Sequence, residues 1–324
     1  MIQGLIWILI FTGSYLLIYF SADFFIDNLK ELSIKYNFSQ FILGLLILGI
    51  DPEESIASII AAINGLPYIA LGNVIGNSVL SLTLCFSLPA FFYKIDLKSV
   101  SNRYYLILYA CLLSILLGII FSSFIIIFGL ISTTIYLVYI KRSIRAISRG
   151  DRENVLEELD ITKEIAKQEE GYVREKPPIQ LTLFTLLSLF FIFLGGEFLI
   201  ISAEQLMIIT GISESIFGFI IISFITNVEE LTLVFKSIKK KSLEIGLGGM
   251  VGKIIWNLSF TFGISAMIII QFTSNLILLY NWILLAALIS FYRFLSNRKY
   301  MYRITALILM LFLIIFLLLN LMTI

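Results

Sequence analysis

The chain has 324 residues, of which 59% are hydrophobic and only 14% charged, with a mean hydropathy of +1.00. Soluble domains carry about 25% charged residues, so the composition excludes an ordinary water-soluble globule. Histidine is absent, which removes imidazole metal sites and leaves any proton chemistry to carboxylates or lysine; the net charge of +1 says less than where the charges fall.

Apolar runs of about 20 residues, enough to cross a bilayer as a helix, recur from end to end. They predict ten helices, at 2–20, 37–63, 67–93, 104–119, 121–140, 180–203, 213–235, 245–271, 275–292 and 304–323. No basic residue precedes the first run, so it reads as a retained helix rather than a cleaved signal. Short links such as Asn64-Gly65-Leu66-Pro67 imply antiparallel neighbours. Cys85 and Cys111 fall in separate apolar runs without metal-ligand spacing and read as packing residues.

Of the 23 basic residues, 22 lie in the five odd-numbered connections, and the even-numbered connections and both termini have none. Under the positive-inside rule the odd connections are cytoplasmic and both termini face out. That usage accounts for nearly all basic residues as topology determinants, which argues against nucleic-acid binding. The long connection 141–178 is charged with balanced signs and reads as a solvated cytoplasmic linker; Val155, Leu156, Leu159 and Ile165 hint at a short surface helix. Asp23 and Glu197 read as lying near span ends.

The remaining basic residue, Lys253, lies inside the eighth span. An ionisable group within a membrane helix is costly and marks function by default.

The chain repeats itself. Asp23-Phe24-Phe25-Ile26 matches Glu197-Phe198-Leu199-Ile200, and Ser39 and Gly44 match Ser213 and Gly218, at an offset of 174. Glu53-Glu54 matches Glu229-Glu230, and Gly72 and Gly76 match Gly248 and Gly252, at 176. The halves are 1–140 and 179–324, joined by 141–178. Five spans per half, an odd number, turn the second copy upside down relative to the first. Inverted repeats place a binding site at mid-membrane where helices are interrupted. Here Gly49-Ile50-Asp51-Pro52-Glu53-Glu54 puts proline and glycine in mid-span, freeing backbone carbonyls for a cation, and its copy Phe224-Ile225-Thr226-Asn227-Val228-Glu229-Glu230 keeps the polarity without the proline.

At these residues the sequence resembles the cation/calcium exchanger superfamily, specifically the sodium/calcium exchanger membrane region. That family carries a G-T-S-[LVI]-P-E segment followed about nineteen residues later by G-N-x-x-G-S, and both Glu54 to Asn73 and Glu230 to Gly249 keep the spacing of 19. The resemblance implies an all-α polytopic fold of ten helices in two inverted five-helix repeats, and a secondary transporter that is not an enzyme. Its implied cargo is calcium, sodium or protons, with no bound cofactor. The expected partners are inorganic cations and membrane lipids, with no obligate protein partner. The expected location is the plasma membrane, the inner one where there are two. Carried over by position, Glu54 and Glu230 match the family's cation-binding glutamates, with carbonyls near Ile50 and Thr226 adding oxygens. Calcium takes six to eight of these.

The departures bear on coupling. Asp51 and Asn227 stand where the family has serine, Glu53 and Glu229 where it has proline, and Asn77 and Lys253 where it has ligand serines. Ser81 and Asn257 occupy two further ligand positions, the latter neutral where charge is expected. Asp51, three residues before Glu54, shares its helix face. Glu53 and Glu229 point about 100° away from the neighbouring glutamates. The expectation is a cation antiporter in which the Lys253 ammonium takes the place of one sodium. The alternatives are a transporter for another cation or small solute, and a transport-inactive relative that senses or binds in the membrane.

Overall fold

The computed structural model describes residues 2–35, 51–92, 95–96, 102–148, 177–227, 231, 251–296, 300–301 and 303–322. The fold is all-α and polytopic. Eight helices are long and apolar enough to cross a membrane: α1 (Ile2–Lys35), α3 (Pro67–Phe92), α4 (Asn102–Ile120), α5 (Ile125–Ser148), α6 (Pro178–Thr210), α8 (Val251–Ile268), α9 (Leu276–Ser296) and α10 (Arg303–Leu321). Two shorter described segments, α2 (Pro52–Ile63) and α7 (Glu214–Thr226), complete a set of ten.

Several bounds differ from expectation. At 34 residues α1 is about 51 Å long, well beyond a hydrocarbon core of about 30 Å. It therefore carries Lys30 and Lys35, which the sequence placed in a connection. Asp23 and Glu197 are consequently not near helix ends, because α6 likewise continues to Thr210. Hydropathy reads the apolar stretch, and a helix does not stop where its side chains become polar. α5 runs on to Ser148, and the surface helix expected around Val155 to Ile165 lies outside the described residues.

Packing follows the inverted repeat. α3 packs on α10 as its counterpart α8 packs on α5, and α1 pairs with its counterpart α6; α7 lies against α3, and α2 against both α3 and α8. Small residues make these approaches possible. A Cβ on Gly195 would stand 2.7 Å from Ile18 Cγ1 in α1, and one on Gly129 in α5 would stand 2.7 Å from the Gly263 carbonyl of α8. α3 runs through the centre, buried over most of its length, whereas Leu5, Ile208 and Ile304 on outer helices are exposed as lipid-facing residues would be. Cys85 and Cys111 are both buried and neither forms a disulfide among the described residues; Cys85 Sγ lies 3.7 Å from Asn227 Oδ1.

Several described connections gather in two groups, toward opposite ends of α3. Ile95–Asp96 pairs antiparallel with Tyr300–Met301, bringing the α3–α4 and α9–α10 connections together, a two-residue ladder the sequence did not suggest. On the other face, the Tyr68 hydroxyl donates to the Thr273 carbonyl and Glu214 meets the start of α3, which gathers residues 64–66, 211–213 and 269–275. For these described connections the grouping agrees with the alternation of basic residues.

Candidate functional site

The site begins where α2 begins. Asp51 is the N-cap, in extended conformation, and its Oδ1 accepts the Glu54 N–H at 3.3 Å. Pro52 fills the first helical position, where no N–H is needed, and Glu53 and Glu54 occupy the first turn, where the positive end of the helix favours carboxylates. The tetrapeptide Asp-Pro-Glu-Glu thus starts a helix and places carboxylates at its N-terminus. Asp51 is 8% exposed and Glu54 0%.

The counter-charge comes from α8. Lys253 Nζ stands 2.8 Å from Asp51 Oδ2 and 2.6 Å from Glu54 Oε1, with the residue itself only 7% exposed. Both are charge-assisted bonds. Three residues on, and so on the same helix face, Trp256 Nε1 donates to Ser55 Oγ at 2.8 Å, and Ser55 Oγ lies 2.7 Å from Thr261 Oγ1. The Trp256 ring stacks on Phe260 at 4.1 Å and meets Tyr136 of α5 edge-on at 5.1 Å. α8 is therefore zipped to α2 at Lys253, Trp256 and Thr261.

α3 joins this charged half to α7. Asn77 Nδ2 donates to Glu54 Oε1 and, at 2.8 Å, to Thr226 Oγ1. Ser81 Oγ donates to Asn227 Oδ1 at 2.6 Å, and Asn227 Nδ2 donates to the Ser223 and Asn77 carbonyls at 2.8 and 3.2 Å. One turn away, Asn73 Nδ2 bonds the Glu54 carbonyl at 3.2 Å and Ser58 Oγ at 2.9 Å.

Asp51, Glu54, Lys253, Asn77, Ser81, Thr226 and Asn227 thus form one buried network. Asn257 also reaches α3: its Nδ2 bonds the Val74 carbonyl at 3.0 Å and Ser78 Oγ at 3.3 Å, while its Oδ1 has no hydrogen bond among the described residues. Ile50 and Glu230 lie outside the described residues, so the expected meeting of Glu54 with Glu230 does too. Glu53 is buried, yet among the described residues no three acidic or cysteine side chains converge as metal ligands. Sequence reasoning missed Ser55, Trp256, Thr261 and Ser223, whose only signal was polarity inside apolar runs. With Asp51 and Glu54 ionised and Lys253 protonated, the described site carries a net charge of −1.

The family model described as sodium/calcium exchanger protein matches residues 6–145 and 180–322, most of the chain. The chain belongs to that family. A curated membrane protein of Methanocaldococcus jannaschii, itself described as uncharacterized, is 22% identical over 246 residues, 75% of each chain. Among solved structures, the sodium/calcium exchanger from Methanococcus jannaschii aligns over 96% of this chain and 97% of its own, with 16% identity and a TM-score of 0.58. The sodium-calcium exchanger NCX_Mj soaked with sodium and strontium gives a TM-score of 0.56 at 15% identity, covering 96% and 98%. At such identities the structural likeness speaks for the fold. In this exchanger-family member the Asp51, Glu54 and Lys253 constellation sits where the two inverted halves meet.

Proposed function

We propose that this exchanger-family protein is an antiporter for inorganic cations, calcium among them, in which the Lys253 ammonium stands in for one transported sodium. The observation that carries this reading is the placement of Nζ, within 2.8 Å of carboxylate oxygens from both Asp51 and Glu54. Two hard carboxylates held at a helix N-terminus are what a sodium ion would seek, and a buried ammonium between them is charged and immobile. Sodium coupling is then weakened, or its place is taken by protons moving on and off the carboxylates. In this reading Glu230, which lies outside the described residues, is the carboxylate expected from the second repeat by its match to Glu54, with residues 1–140 and 179–324 acting as the two halves around the site. The odd connections face the cytoplasm, in keeping with their lysines and arginines.

The reading in which Lys253 binds an anionic solute gains no support from this geometry, because its ammonium is already engaged by two carboxylates. The test is calcium flux driven by a sodium gradient in vesicles reconstituted with the unmodified chain and with Lys253→Ser. We expect little sodium-driven flux from the former and at least a tenfold gain from the latter. Robust sodium-coupled flux by the unmodified chain, little changed by the substitution, discards the proposal.

A further inference from the structure

Glu214 is the first residue of α7, yet its side chain serves another helix. Its Oε1 accepts the backbone N–H groups of Tyr68 at 2.6 Å and Ile69 at 3.2 Å, the second and third residues of α3. Those N–H groups have no partner within their own helix, and a carboxylate at a helix N-terminus is favoured by the dipole as well. α7 has a cap of its own in Ser213, whose Oγ accepts the Ile216 N–H. Tyr68 reaches onward through its hydroxyl to the Thr273 carbonyl, beyond α8. A single knot therefore ties α7, α3 and the α8–α9 connection on the face that bears residues 64–66, 211–213 and 269–275.

Below the knot α7 lies directly on α3. A Cβ on Gly218 would stand 2.6 Å from the Tyr68 carbonyl, and one on Gly76 would stand 2.5 Å from the Phe219 carbonyl. Between Glu214 and the site, Phe217–Ile222 is π-helical, and Ser223 Oγ bonds the Gly218 carbonyl five residues back at 2.8 Å. A π turn holds a residue that an α turn does not, so it can change register between its two ends. The far end carries Thr226 and Asn227, which meet Asn77 and Ser81.

We infer that Glu214 is a positioning residue, a clasp that closes the site from this face by holding the first turn of α7 on α3, and that its release lets α7 lift away there. The inference stands on α7 and α3 alone, so it survives if the Lys253 reading fails.

The test uses the full chain in lipid nanodiscs and hydrogen–deuterium exchange. Glu214→Ala is expected to speed exchange about tenfold or more over 66–72 and 214–222, leaving 102–148 unchanged. Glu214→Gln, which keeps an acceptor oxygen without the charge, is expected to lie between. In oriented vesicles Glu214→Ala is further expected to shift the half-saturating calcium concentration at least threefold from the clasp face and not from the opposite one. Unchanged exchange over 214–222, an equal rise in every helix, or an equal shift from both faces overturns the inference. If the alanine variant cannot be purified, Glu214→Gln carries the same test with a threefold acceleration expected.

Discussion

The start of α2 and the end of α7 are related by the internal repeat, with Asp51 answering to Asn227, and yet they solve the same physical problem in opposite ways. α2 is started by Asp51 and Pro52, and the polarity is ionic: two carboxylates at a helix N-terminus, neutralised in part by Lys253. At the end of α7 there is no proline, and the described polar residues there, Thr226 and Asn227, are neutral. Thr226 and Asn227 are tied up by Asn77, Ser81 and the Ser223 carbonyl. At this pair of repeat-related positions the charge therefore differs, Asp51 against neutral Asn227, while both copies are followed by two glutamates, Glu53-Glu54 and Glu229-Glu230. The Asn77 side chain is bonded to both segments, to Glu54 of α2 and to Thr226 of α7.

The sharpest way to break this comparison is to remove the ammonium. Breaking one partner from a buried ion pair costs about 3–5 kcal/mol, so Lys253→Met should lower the melting temperature of the purified protein more than any other single change in the site. Lys253→Ser should lose a similar amount in choline chloride and recover in sodium chloride, whereas Lys253→Met should not recover. A second change charges the neutral side. In Asn227→Asp an oxygen replaces the amide nitrogen that donates to the Asn77 and Ser223 carbonyls. Each buried group left unsatisfied costs about 1–3 kcal/mol. We expect a marked loss of thermal stability without divalent ions and partial restoration by millimolar calcium. Weaker again, Gly76→Ala presses a methyl onto the Phe219 carbonyl where α3 meets α7. Overpacking of this kind costs about 1–3 kcal/mol, and flux should fall while the fold, followed by circular dichroism, persists. The mildest is Ser55→Ala, which removes the acceptor of Trp256 Nε1 and the neighbour of Thr261. A loss of about 1 kcal/mol should appear as a small drop in melting temperature, together with altered tryptophan fluorescence.

Much of this was legible in the sequence because a membrane makes polarity conspicuous. Lys253, Asp51 and Glu54 stand out in apolar runs, the lysines and arginines mark alternate connections, and the spacing of 19 from Glu54 to Asn73 survives in the second half. Where elements end was less legible: α1 and α6 continue past the apolar stretch that announces them, so Asp23 and Glu197 moved from expected helix ends into helix interiors. Local pattern was also silent on contacts made across the fold. Glu214 follows a capping serine and reads as the start of its own helix, and only the packing of α7 on α3 brings it to Tyr68. The amide nitrogen of Asn257 is likewise engaged across the fold, by the Val74 carbonyl and Ser78 Oγ of α3. Glu230, central to the expected site, lies outside the described residues.

Everything proposed for coupling reduces to whether a lysine nitrogen fills the seat of an ion, and counting ions answers that directly. Equilibrium dialysis with radioactive sodium, performed on the unmodified chain and on Lys253→Ser at saturating sodium, gives the number bound per chain. The account predicts one more sodium ion on the substituted protein than on the unmodified one. Equal numbers on the two proteins would contradict it.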